Sequence, residues 1–193
     1  HSTEKLIELM GSIENKVALD ALKQLHEREG FTNGILRGSN LRGANLQGAQ
    51  LAKADMEGAT LADANFSHAY FGAARLQGAN LCRINLQEAN LREVHLVNSD
   101  LSDANLRGAH LAEARLTNAN LSNAQLQGAN LWGAQLQGTN LAGAQFDPQT
   151  ILPDSTHWMS DTDMARFTDP QHPHFWRSDN PHSPAYRSTD AED

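Results

Sequence analysis

A large apolar residue recurs at every fifth position from Leu36 to Ile151, 24 times without a gap, as in Leu41, Leu46, Leu51, Met56, Leu61, Phe66 and Phe71. Two residues before most of them stands an alanine, from Ala44 through Ala79 and again from Ala104 through Ala134. The other three places are mostly polar or Gly, as in GANLQ, DANLR and NANLS. On an α-helix, at about 100° per residue, this period advances the apolar position by about 140° each time and smears it around the axis. In a flat strand, successive fifth residues point to opposite sides. The period is satisfied by a short extended piece followed by a bend, with the large residue and the small one before it both turned inward.

Bends of one hand wind the chain into a coil, and stacked coils pair their backbones at about 4.8 Å. The result is a parallel solenoid whose inward positions are Leu and Ala. Gly recurs two places after the large residue, as at Gly38, Gly43, Gly48 and Gly58, where a tight turn is needed. The period alone leaves open how many pentapeptides make one coil.

The motif A-(N/D)-L-x-x, at Ala44-Asn45-Leu46, Ala79-Asn80-Leu81, Ala104-Asn105-Leu106 and Ala129-Asn130-Leu131, resembles the pentapeptide-repeat family of mainly bacterial proteins. The resemblance implies an all-β solenoid: a right-handed quadrilateral parallel β-helix with four pentapeptides, 20 residues, per coil. Twenty-four repeats then make about six coils, a rod of about 29 Å at about 4.8 Å per coil. The expected organisation is a helical N-terminal cap on residues 1–30, the β-helix on 31–151, and a C-terminal cap and tail on 152–193. Ile84 and Val94 replace Ala and are expected to crowd the tube. Ser39, Ser99 and Thr139 are small but polar at inward sites, and their hydroxyls are expected to bond to neighbouring backbone.

A solenoid has an open core and an unpaired edge at each end, so both termini are expected to cover them. A short helical piece around Leu6, Ile7 and Met10 precedes a longer helix from about Ile13 to Glu29, with Ser12 as N-cap and Gly30 as stop. Ile13, Val17, Ala21, Leu22 and Leu25 form its apolar face, destined for the end of the first coil near Phe31 and Leu36. Beyond Ile151, Asp161-Thr162-Asp163 caps a helical turn at Met164 to Phe167, and Trp158, Phe167 and Trp176 are placed to cover the last coil. From Ser178 onward the sequence is polar and Pro-containing and is expected to lack fixed structure.

One cysteine among 193 residues excludes an intrachain disulfide and a Cys-based zinc site, which fits a reducing, cytoplasmic setting. No apolar run approaches the roughly 18 residues of a membrane span. Neither GxxxxGK[ST] nor a strand-linked GxGxxG is present, and Cys82 stands outward with no evident activating partner. His157, His172, His174 and His182 lack the spacing of a metal site, so no metal or cofactor is expected and the chain is read as non-catalytic. Asn65-Phe66-Ser67 matches a glycosylation sequon by accident of Asn-rich repeats.

A 20-residue coil turns the sequence into a surface map. Asn45, Asn65, Asn85 and Asn105 share a column, as do Asn40, Asn80, Asn120 and Asn140. Asp63, Arg83 and Asp103 stack, as do Asp55 and Arg75, so opposite charges alternate. One side carries Tyr70 and His110, with Arg92 and Trp132 on adjoining positions. Aromatic and Arg residues are the types enriched at interfaces, so Tyr70, Arg92, His110 and Trp132 are the candidate partner-binding residues.

The expected role is a rigid scaffold for an unidentified protein partner, monomeric or weakly dimeric, with no direct nucleic-acid binding. The resemblance supplies an alternative, because some family members bind DNA gyrase by imitating the charge and shape of duplex DNA and dimerise through an apolar C-terminal extension. Such mimicry needs a dense negative field. Residues 31–151 hold eight basic and nine acidic side chains, a net of −1, and most of the overall −8 lies in the C-terminal segment. Glu88, Glu93 and Glu113 make the one local acidic patch, with Arg92 among them.

Overall fold

The computed structural model describes residues 1–186 and consists of two N-terminal helices, a long run of pentapeptide turns, and an irregular C-terminal segment holding one short helix. From Asn40 to Gln125, parallel bridges join each residue preceding a central one to the residue 20 further on, as in Asn40↔Thr60↔Asn80↔Asp100↔Asn120↔Asn140. Four pentapeptides therefore separate stacked positions. The central residues fall in four interior columns, one of which holds Leu81, Leu101 and Leu121, each fully buried.

Hydrogen bonding explains the repeat residue by residue, as the pentapeptide around Leu81 shows. The Leu81 N–H donates to Asp100 O (2.7 Å) and the Arg83 N–H to Ser102 O (2.9 Å), both in the following coil. Asn80 N–H donates back to Ala59 O (2.9 Å), and Ala79 N–H closes a turn on Leu76 O (3.1 Å). The one N–H left over, that of Cys82, goes to the side-chain Oδ1 of Asn80 (3.1 Å). An Asn or Asp before the central residue thus completes the backbone pairing, which is the physical content of the A-(N/D)-L motif. The turn places the second residue after the centre at positive φ, occupied by Gly at Gly58 (67°) but also by Arg83 (57°), Asn98 (58°) and Asp103 (58°).

Ile84 and Val94 are fully buried among alanine columns. Ser99 Oγ donates to Leu96 O (2.7 Å) and Thr139 Oγ1 to Leu116 O (2.8 Å), as expected of inward hydroxyls. Ser39 departs from that expectation: its buried Oγ has no partner among the described residues.

Helix α1, Thr3–Met10, is capped by the Ser2 hydroxyl, and α2 spans Asn15–Glu29. The second helix starts later than the apolar pattern suggests. Ser12 is not its N-cap; the Ser12 hydroxyl accepts the Glu14 N–H (3.0 Å) while the Ser12 carbonyl accepts the Asn45 N–H (2.9 Å) of the first coil. Held along that edge, the chain turns Ile13 outward, 80% exposed, and Ala18, Ala21, Leu22 and Leu25 form the buried face. Asn15 Nδ2 donates to Asn45 O and Gln47 O, and Phe31 O accepts the Asp55 N–H (2.8 Å), so the helical segment covers both core and edge.

At the other end the five-residue count slips by one. Asn130 bridges Ile151, 21 residues on, because Asp147-Pro148-Gln149 carries one extra residue. Thr150 takes the small inward place, fully buried with its hydroxyl on Leu126 O (2.9 Å), and Leu152 takes the central one. Ile151, expected at a central position, is half-exposed instead. Trp158 stacks on Phe146, with ring centroids 5.9 Å apart, and α3, Ala165–Thr168, buries Phe167 and accepts the Gly138 N–H at Thr168 O (2.8 Å). Asp163 Oδ1 accepts the Ala165 N–H (3.1 Å), as its place before the helix suggests. Leu141, Ala144 and Phe146 remain half-covered. Residues 178–186, expected to lack fixed structure, fold back instead: Ser178 N–H donates to Ala185 O (2.7 Å), and the buried Ser183 places its hydroxyl on Gly133 O (3.4 Å). The rest of that expectation, on 187–193, lies outside the described residues.

Candidate functional site

Tyr70, Asn90, His110 and Asn130 form one continuous ladder of bridges, flanked by Arg92 and Trp132 two residues after the asparagines. All four candidate side chains are exposed, Tyr70 at 40% and Trp132 at 42%. The backbone beneath them is regular: Asn90 Oδ1 accepts the Arg92 N–H (3.1 Å) and Asn130 Oδ1 the Trp132 N–H (3.0 Å).

Neighbouring small residues set how the rings lie. Gly72 is not at positive φ, so no turn requires it. A Cβ there would stand 2.9 Å from Cζ and Oη of Tyr70, so its absence lets the phenol ring lie over the backbone. Trp132 borders a small recess shared with Glu113, Pro153, Trp176 and Ser183, so the C-terminal segment forms part of this side. Nothing in the periodicity signals that contribution, because the segment lies beyond the repeats.

The charge on this side is largely spent internally. Arg92 Nε lies 3.2 Å from Glu93 Oε1, and its terminal nitrogen lies 3.6 Å from Glu113 Oε1. The Glu113 N–H in turn donates to Trp132 O (2.7 Å), tying Arg92, Glu113 and Trp132 into one unit. Arg92 therefore offsets one of the two charges of the Glu93–Glu113 pair. Tyr70 and His110 stand apart from that unit, with no ion pair among the described residues.

On the other columns, stacking serves the rod itself. Asn65, Asn85 and Asn105 each donate an amide N–H to the asparagine one coil earlier, at 3.2, 3.1 and 3.1 Å. Asn65 of the sequon belongs to this ladder, and Phe66 is buried. Asp63 receives Arg83 (2.6 Å) and also Arg42 (2.7 Å); the Arg83 hydrogen bond leads in holding its carboxyl below the usual range. The expected Asp55–Arg75 alternation is not formed side chain to side chain: Asp55 pairs with Arg37 (2.8 Å), and Arg75 reaches Glu57 (3.8 Å). Cys82 has a neighbour the sequence reading missed, the Arg83 guanidinium at 3.1 Å from its sulfur.

Among the described residues, no group of three or more His, Cys, Asp or Glu side chains converges as a metal site, and His172 instead pairs with Asp163 (3.0 Å). No helix there is long and apolar enough to cross a membrane.

Comparison with known proteins follows the same pattern. The family model for pentapeptide repeats matches in 8 copies over residues 31–63, 64–103, 84–123 and 119–147, more than half of the chain. No curated protein matches. Among solved structures, Rfr23, a pentapeptide repeat protein from the cyanobacterium Cyanothece 51142, is 33% identical over 58% of this chain and 90% of its own, with a TM-score of 0.41. HetL from Nostoc sp. strain PCC 7120, a pentapeptide repeat protein involved in heterocyst differentiation regulation, is 28% identical over 63% of this chain and 65% of its own, with a TM-score of 0.25. QnrB1, a plasmid-mediated fluoroquinolone resistance protein, is 20% identical over 69% of this chain and 73% of its own in a trypsin-treated form, with a TM-score of 0.36. With its inward Leu and Ala columns, its Asn-completed turns and the family match across the whole run of turns, this chain belongs to the pentapeptide-repeat family.

Proposed function

We propose that this chain is a non-catalytic, rigid scaffold, a right-handed quadrilateral β-helix of about six coils in the bacterial cytoplasm, that presents one side to a protein partner. The observation that supports it is the pair of exposed rings, Tyr70 and Trp132, held on a regular backbone on one side of a rod whose interior is filled. A filled interior directs recognition to the surface, and aromatic rings are frequent anchors there. Arg92 is held in place by Glu93 and Glu113, and His110 adds a polar contact between the rings. On this reading the protein is a monomer or a weak dimer. Affinity capture from the native host, followed by affinity measurement with each captured protein, tests it. The Tyr70→Ala, Trp132→Ala double variant is expected to lose the specific partner, and unchanged affinity for every captured protein overturns the choice of side.

Mimicry of DNA toward gyrase is the weaker reading. The net charge of −1 over residues 31–151 supplies no dense negative field, and Arg92 offsets one of the two charges at Glu93 and Glu113. Micromolar protein is expected to leave gyrase supercoiling unchanged and to give no protection from quinolone poisoning; clear inhibition would overturn the charge argument and move that reading to first place.

A further inference from the structure

A second surface, on a different column from Tyr70 and meeting the Trp132 side at Trp176, combines an aromatic cleft with positive charge that has few ion-pair partners among the described residues. Arg75, His95, Arg115 and Gln135 are successive rungs of one bridge ladder. Gln135 also lines a cleft between the repeats and the C-terminal segment, whose far wall carries Phe175, Trp176, Arg177 and Tyr186. The ladder starts at Asp55, which pairs with Arg37, and from Arg75 onward its positive charge is only partly neutralised among the described residues. Arg37, Arg42, Arg83 and Arg92 each meet a carboxylate within 4.0 Å, whereas Arg115 and Arg177 have no ion pair among the described residues, and Arg75 has only Glu57 at 3.8 Å. Arg177 lies 5.6 Å from the centre of the Phe175 ring. His95 is held below its usual range, first by burial and then by the positive charges of Arg115 and Arg75.

We infer that this cleft and the cationic column beside it receive an acidic peptide segment of a partner protein, with one aromatic side chain of the peptide seated against Phe175, Trp176 and Tyr186. Charge complementarity selects the occupant. Carboxylates on an extended segment meet Arg177 at the cleft and then Arg115 and Arg75, which lie two rungs, about 9.6 Å, apart. A nucleic acid is a poorer fit, because its dense charge requires a broadly basic protein, and this chain carries a net charge of −8. A segment with a few carboxylates needs only the local column.

The test uses the full chain and a fluorescent synthetic peptide of alternating Glu and Ser ending in Trp, followed by fluorescence anisotropy. Binding is expected to weaken with added salt, and to be lost when the peptide's Glu residues are replaced by Gln. Arg115→Gln and Arg177→Gln are each expected to weaken it about threefold and together about tenfold, and Tyr186→Ala by about tenfold. Arg107→Gln, at an exposed arginine on another column, is expected to leave it unchanged. Equal losses for Arg107→Gln and Arg115→Gln overturn the proposal, as does a single-stranded DNA oligonucleotide that binds more tightly than the peptide and is weakened by Arg115→Gln and Arg177→Gln. Tighter peptide binding after Asp190→Asn, Glu192→Gln and Asp193→Asn together would assign the surface to the chain's own C-terminal sequence and likewise overturn it.

Discussion

Asp147 reaches back to Gly128: its Oδ1 accepts the Gly128 N–H at 2.9 Å, in the place where a backbone carbonyl of the next coil serves the regular repeats, as Gln127 O serves Gly108. The same oxygen accepts the N–H groups of Gln149 (3.0 Å) and Thr150 (3.1 Å), fastening the one-residue insertion to the rod.

Removing that oxygen leaves the Gly128 N–H without its acceptor, so Asp147→Ala is expected to destabilise the fold by about 1–3 kcal/mol in urea unfolding. Burial raises the Asp147 pKa, but the hydrogen bonds from Gly128, Gln149 and Thr150 outweigh it and hold the carboxyl below its usual value. A depressed folded pKa contributes stability above the unfolded value of about 3.9, and that stability is lost as pH falls through the folded value. Asp147→Asn keeps an acceptor oxygen but cannot titrate, so its stability is expected to be flatter than the parent's across that acid window.

The slip itself is testable at the two residues that exchange roles. Leu152 is 1% exposed and Ile151 half-exposed. Leu152→Ala is expected to cost about 2–5 kcal/mol by cavity formation, and Ile151→Ala under about 1 kcal/mol. The reverse order in denaturant midpoints would restore the strict five-residue count.

Two glycines separate backbone strain from crowding. Gly58 (φ 67°) has open space where a Cβ would stand, whereas at Gly138 (φ 69°) the Cβ would overlap Oδ1 of Asn118. Gly58→Ala is expected to cost about 1 kcal/mol, the left-handed penalty alone. Gly138→Ala is expected to cost more, and the excess to vanish in an Asn118→Ala background when both are measured in a double-mutant cycle.

The inward columns were legible because burial acts on single residues at a fixed period: Leu81, Leu101 and Leu121 are read from spacing and found fully buried. The candidate side was legible as a column for the same reason. The slip after Phe146 was not, since Ile151 and Leu152 are both apolar and only backbone pairing distinguishes their places. Ile13 fits the apolar pattern of the helix face, but the bond from Asn45 N–H to Ser12 O holds the chain along the coil edge and turns the side chain outward, and no local pattern signals that bond. The Glu113 bridge to Arg92 follows from stacking, but the C-terminal contribution at Trp132 depends on how an aperiodic segment folds back.

The 20-residue register is what gathers Tyr70, Arg92, His110 and Trp132 on one side and Arg75, His95 and Arg115 on another. Paired cysteines measure it directly. In a Cys82→Ser background, Asn90→Cys with His110→Cys joins bridge partners, at the strand spacing of about 4.8 Å that falls within disulfide range. Asn90→Cys with Asn105→Cys reports the 15-residue alternative of three pentapeptides per coil. Under mild oxidation the first pair is expected to close and the second to stay reduced; closure of the Asn90–Asn105 pair with the Asn90–His110 pair open would contradict the architecture and both surfaces built on it.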